Sequence, residues 1–246
     1  MTRVSIELVP RSFASLDADL SVLRERFPAI DTVNIPDLLR MDVRAWEACA
    51  QARAVLPHAI PHLRAMDFAL TRPFPLADYL REQRLDTVLV VTGDPPQDMA
   101  HPVYPTTPLD LIAKLKRELP ELRVYAGFDP YRSGLRRELD YVRAKLDAGA
   151  DGLFSQPFFD LRLMEVWSEL LSGCELWWGV SPVHSPRQRR WWETKNQAFF
   201  PADFEPTAKW NRVFARRALD WSRERGQNLY FMPIRAGLAD YLDGIL

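Results

Sequence analysis

Glu7, His62, Asp94 and Gln156 stand where polar residues are out of place. Glu7 interrupts the strand-like run 4–9, in which Val4, Ile6 and Leu8 share one face and Ser5, Glu7 and Val9 the other. A carboxylate aimed into an apolar interior has its pKa raised by burial, the condition for a general acid near neutral pH. A buried ion pair with Arg64 or Arg235 is the structural alternative. In a second run His62 shares a face with Ile60 and Arg64, an inward histidine near a strand end that serves either a core hydrogen bond or a ligand. Asp94 sits in the turn Gly93-Asp94-Pro95-Pro96 that follows the run 87–92, where Gly93 permits close backbone approach and Asp94 can hydrogen-bond a ligand. Gln156 follows the run 152–155 beside Phe158 and Phe159, and an amide at a strand end must find partners in the backbone or in a ligand.

Strand-like runs rich in β-branched and aromatic residues occupy 4–9, 32–35, 59–64, 87–92, 124–127, 152–155, 176–180 and 229–232. Helix-like segments alternate with them at 16–27, 43–55, 76–83, 108–119, 135–148, 161–171, 187–225 and 236–245; Leu135, Leu139, Val142 and Leu146 form one apolar stripe. Eight such units predict an α/β fold, a (β/α)8 TIM barrel, as a single domain over 1–246. Inward residues then alternate along each strand and the active site lies at the C-terminal strand ends. A long connection at about 184–226 carries Trp191, Trp192, Phe199, Phe200, Phe204 and Trp210, either as part of a lid over the mouth or as packing on the barrel flank.

The chain of 246 residues is 47% hydrophobic and 26% charged, enough for a sizeable core, and its net charge of -1 offers no general attraction to nucleic acid or an anionic membrane. Cys49 and Cys174 fit no disulfide framework or zinc spacing and read as small buried hydrophobes in a reducing compartment. No signal peptide and no long apolar run appears, so a cytoplasmic location is expected. The stretch His184 to Trp192 mixes basic and aromatic residues as single-strand binders do, but Glu193 and the overall charge point to an exposed helical face. Metal-ligand spacing, a nucleophile elbow, a Rossmann glycine motif and a P-loop are all missing from the sequence.

Taken in order, Ser5-Ile6-Glu7-Leu8-Val9-Pro10, Pro61-His62-Leu63, Gly93-Asp94-Pro95-Pro96, Lys145-Leu146-Asp147-Ala148-Gly149-Ala150 and Ser155-Gln156-Pro157-Phe158-Phe159-Asp160 resemble methylenetetrahydrofolate reductase. Pro182-Val183, Arg187-Gln188 and Arg235-Ala236 extend the resemblance along nearly the whole chain. It implies an oxidoreductase that moves a hydride from NAD(P)H through FAD to 5,10-methylenetetrahydrofolate, giving 5-methyltetrahydrofolate. Glu7 would be the general acid that protonates the folate nitrogen and opens its five-membered ring to an iminium. Asp94 would bind the pterin and stabilise that cation, with Gln156, Gln188 and Arg235 as further substrate contacts. His62, Thr92, Gly93, Asp94 and Lys145 would contact the flavin. A small folate is the implied partner, and the sequence leaves room for a homo-oligomer.

Three departures fall on the flavin side. Thr92-Gly93-Asp94 replaces the family's Arg-Gly-Asp, Phe128-Asp129-Pro130-Tyr131-Arg132 replaces its Tyr-Pro-Glu-x-His-Pro stretch, and Ile35-Pro36-Asp37 replaces Thr-Tyr-Gly. Arg132, Arg136 or Arg137 could restore charge for a pyrophosphate. Two further readings follow: a reductase on the same fold that takes hydride directly from a nicotinamide, and a non-catalytic folate-binding or partner-binding protein.

Overall fold

In the computed structural model, which describes residues 2–96 and 101–246, parallel strands pair in chain order and the last closes on the first. The order is β1 Val4–Glu7, α1 Phe13–Arg26, β2 Thr32–Ile35, α2 Ala45–Ala52, β3 His58–Arg64, α3 Ala77–Glu82, β4 Thr87–Val91, α4 Pro108–Glu118 and β5 Arg123–Phe128. It continues with α5 Leu135–Asp147, β6 Gly152–Pro157, α6 Leu161–Leu170, β7 Leu176–Val180, α7 Pro186–Lys195, α8 Ala208–Glu224, β8 Asn228–Phe231 and α9 Leu238–Leu242. The predicted α/β (β/α)8 TIM barrel is the observed architecture. Several helices start where a hydroxyl or carboxylate caps free backbone N–H groups: Ser12, Thr107 ahead of Pro108, Asp160, Ser185 and Thr207.

Two apolar layers follow from strand alternation. Outward residues such as Ile6, Val33, Leu63, Val88 and Val90 join the core under the helices. Inward residues Ile60, Leu89, Tyr125, Phe154, Trp177, Tyr230 and Met232 fill the barrel itself. Phe154 stacks on Trp177 with centroids 5.0 Å apart and planes at 15°. Gly152 and Gly179 make room for these rings, since a Cβ on either would come within 2.8 Å of Tyr125 and of Tyr230 respectively. At the N-terminal end Glu175 accepts hydrogen bonds from Tyr125 (2.7 Å) and Asn228 (3.0 Å), while Arg3 lies 5.2 Å from the Trp177 ring centroid. This end is therefore plugged by side chains, and the C-terminal strand ends are left open.

The long connection divides into α7, a loop and α8. Trp192, Ala198, Phe204, Phe200 and Trp210 pack with Tyr131, Phe159 and Val183, which follow β5, β6 and β7 at the C-terminal end of the barrel, and none of these residues lines the cavity there. Trp192 is buried while Arg187 and Arg190 are exposed, the helical face that the charge pattern predicts. Cys49 is buried and Cys174 half-buried, both free thiols.

Candidate active site

The C-terminal strand ends enclose a cavity of about 870 Å³ with Glu7, His62, Phe154 and Tyr230 among its deep residues and Asp94, Arg132, Arg137 and Lys145 among its wall and rim. Register explains the floor. β1 ends at Glu7, directly opposite Asn34 of β2, which faces Ile60, two residues before His62 on β3. The Asn34 amide donates to Glu7 Oε2 at 3.2 Å and lies 3.2 Å from His62 Nε2, and its Oδ1 accepts from Ser5 Oγ at 2.8 Å.

Burial raises Glu7 from 4.5 to about 7, against the opposing hydrogen bond from Asn34. The carboxyl keeps an edge open to the cavity, so this is the burial of a deep floor and not of the sealed core. The ion pair that the sequence admits does not form. Arg64 Nε lies 3.3 Å from Asp67, Arg235 sits 5.8 Å from the Trp191 ring centroid, and no ion pair reaches Glu7 among the described residues. Burial drives His62 down to about 3, so it is neutral at ordinary pH and its Nε2 can accept from the amide.

Asn34 is the residue that sequence reading missed. Its signal was available, because alternation in Thr32-Val33-Asn34-Ile35 places a lone amide among β-branched residues. The residues it joins are 27 and 28 positions away, and no local pattern connects them.

At the mouth, Gly93 has φ +87°, and a Cβ there would meet Arg64 Nε at 2.8 Å. Arg64 Nη2 donates to the Asp94 carbonyl at 2.7 Å, so a cation from β3 lies under the turn that follows β4. The Asp94 carboxylate lines the cavity and makes no hydrogen bond among the described residues, and the same holds for the Gln156 amide. β6 runs on to Pro157, which places Gln156 within the strand, two residues after the inward Phe154. Replacing Gly93 with alanine is expected to destabilise the fold by about 1–3 kcal/mol through the positive φ and the displaced Arg64. Chemical denaturation measures it, and an unchanged midpoint would mean that Arg64 moves aside without loss.

Lys145, buried on α5, donates to the Gly127 carbonyl at 2.6 Å and sits 3.9 Å from the Tyr141 ring centroid. Burial lowers its pKa to about 8. Arg132 and Arg137 line the cavity, whereas Arg136 turns to Asp140 at 3.2 Å. Asp37 pairs with Arg44 and accepts from Ala45 N at 3.1 Å, stabilising the start of α2 beside the cavity. Gln188 and Arg235 are not brought to the cavity. The Gln188 side chain accepts from His184 N at 2.6 Å, closing the first turn of α7, and Arg235 is turned to Trp191. Groups of three or more metal-ligating side chains are absent among the described residues.

The family model of methylenetetrahydrofolate reductase matches residues 43–205, well over half of the chain. The chain belongs to that family. Among solved structures, the reductase-family chain resembles an uncharacterized protein from Clostridium thermocellum that binds two copies of 5-methyl-5,6,7,8-tetrahydrofolic acid. The TM-score is 0.61 at 12% identity, over 99% of this chain and 93% of that one. It also resembles 2,3-dimethylmalate lyase (TM-score 0.59, 11% identity, 96% and 76% covered) and oxaloacetate acetylhydrolase (0.58, 10%, 94% and 75%). At these identities the likeness is one of fold. No curated protein matches the chain.

Members of the reductase family usually bind FAD, and the residues that the resemblance assigns to it, His62, Thr92, Gly93, Asp94 and Lys145, line the cavity, though several depart from the family's pattern or are engaged within the protein. Arg64 lies against the bare face of Gly93, and Thr92 offers a hydroxyl where the family has a cation. The Lys145 ammonium is held by Gly127 and Tyr141, and His62 belongs to the floor network. Glu7, Asp94 and Gln156 line the same cavity.

Proposed function

We propose that this reductase-family chain binds a reduced folate in the barrel mouth and converts 5,10-methylenetetrahydrofolate to 5-methyltetrahydrofolate, with hydride delivered directly by NADH or NADPH. The observation that carries the reading is Glu7, a carboxyl without an ion-pair partner among the described residues, at the floor of a cavity of about 870 Å³, with its pKa raised by burial to about 7. A group so tuned is part protonated and part ionised near neutrality, which suits an acid that must give up its proton and recover it each cycle.

Glu7 donates its proton to a nitrogen of the five-membered ring, whose C–N bond breaks to leave an iminium. The Asp94 carboxylate, open to the same cavity, offsets the positive charge, and the Gln156 amide presents both donor and acceptor to the pterin edge. Hydride addition to the iminium carbon completes the methyl group, and Glu7 regains its proton from water.

The test is reduction of 5,10-methylenetetrahydrofolate by each nicotinamide with no flavin added. Turnover is the expected result. Binding without turnover would favour the second reading, a non-catalytic folate-binding protein, which the folate-binding neighbour from Clostridium thermocellum supports. A separate check is the absorbance spectrum after incubation with FAD and desalting. The protein is expected to emerge without the flavin band near ~450 nm. Retained flavin would overturn direct hydride delivery and restore the flavin route.

A further inference from the structure

The floor network has one hydrogen arrangement that satisfies every member. Asn34 carries two amide hydrogens, one for Glu7 Oε2 and one for His62 Nε2, and its single oxygen is taken by Ser5. His62 must then offer its lone pair at Nε2 and keep its proton on Nδ1. Asn34 and Ser5 are fully buried, so water cannot substitute for any of these bonds.

We propose that Asn34 is the positioning residue for Glu7: it fixes the acid's carboxyl at the cavity floor, favours its ionised form, and is itself held by Ser5 and His62. This rests on the role given to Glu7 above. The groups that face Glu7 leave Asn34 as its direct hydrogen-bond donor. His62 on β3 is neutral, and Tyr230 on β8 donates its hydroxyl to the Ser155 carbonyl. Arg64 is paired farther out on β3, while Lys145 and Asp129 belong to the β5–α5 side of the cavity. An N–H aimed at a carboxylate stabilises the charged form, so removing it makes Glu7 a weaker acid that returns its proton less readily.

The experiment follows the Glu7 carboxyl band by infrared difference titration, assigned by its loss in Glu7→Gln, in wild type and in Asn34→Leu. The leucine variant is expected to raise the Glu7 midpoint by roughly one pH unit. With substrate, it is expected to lower kcat about tenfold with KM within about twofold, because the interaction lost is with the acid and not with the ligand. Should Asn34→Leu fail to fold, Ser5→Ala frees the far end of Asn34 and is expected to move the midpoint in the same direction by less. An unmoved midpoint in the folded variant overturns the proposal. The titration needs no turnover, so a wild type that fails to reduce folate sinks the reductase reading and leaves this result to be judged alone.

Discussion

Glu7→Gln is expected to cut turnover of 5,10-methylenetetrahydrofolate by about 100- to 10,000-fold, the usual contribution of a positioned general acid, while folate still binds. Glutamine keeps the shape of the side chain and can still meet Asn34, but it has no proton to give. Rate measurements paired with binding titrations separate the two effects. A variant that turns over at even a tenth of the wild-type rate would remove Glu7 from the acid's role.

The same substitution has an opposite effect on stability, and its pH window follows from the shift. Glu7 moves from 4.5 to about 7 on folding, so the folded protein binds this proton more tightly than the unfolded chain. Its favourable contribution is complete below pH 4.5 and is lost as pH rises to about 7. Above that range the buried charge costs up to about 3 kcal/mol, an upper value because the carboxyl retains an edge open to the cavity. Glu7→Gln is therefore expected to raise the Tm at pH 8 and to leave it nearly unchanged at pH 4. Equal gains at both pH values would assign the stabilisation to something other than the charge.

Trp177→Ala is expected to cost about 3–5 kcal/mol, the largest stability loss of any single change considered. The ring is fully buried, stacked on Phe154 and edge-on to Tyr125 at 6.3 Å, and the plugged end of the barrel cannot collapse to fill its space. Because Phe154 also lines the ligand cavity, folate affinity should fall together with the denaturation midpoint. A loss below about 1 kcal/mol would show that the interior rings repack freely.

How much of this was legible in advance varied with the range of the interactions. The runs 32–35 and 176–180 coincide with β2 and β7 because β-branched and aromatic residues between clear breaks carry a local signal. Alternation likewise aimed Glu7 and His62 inward, and the structure places both on the cavity. Where the reading ran short, the cause was contact between distant strands. Gln156 stands inside β6 and not past its end, Asn34 links three strands, and Arg64 fills the space above Gly93. Gln188 matched a substrate-contacting position by motif, yet its side-chain oxygen accepts from His184 N at the start of its own helix and the residue does not line the cavity, which only coordinates reveal. Arg64, from the neighbouring strand, donates to the Asp94 carbonyl beside Thr92, a contact that no local pattern announces.

The side-chain plug beneath Trp177 closes the N-terminal end of the barrel, so that among the described residues the cavity opens at the other. Entry to the floor beside Glu7 is then expected from the end that carries Asp94 and Gln156. A ligand bound there would enter and leave by one mouth, so that anything occupying the rim would slow its departure.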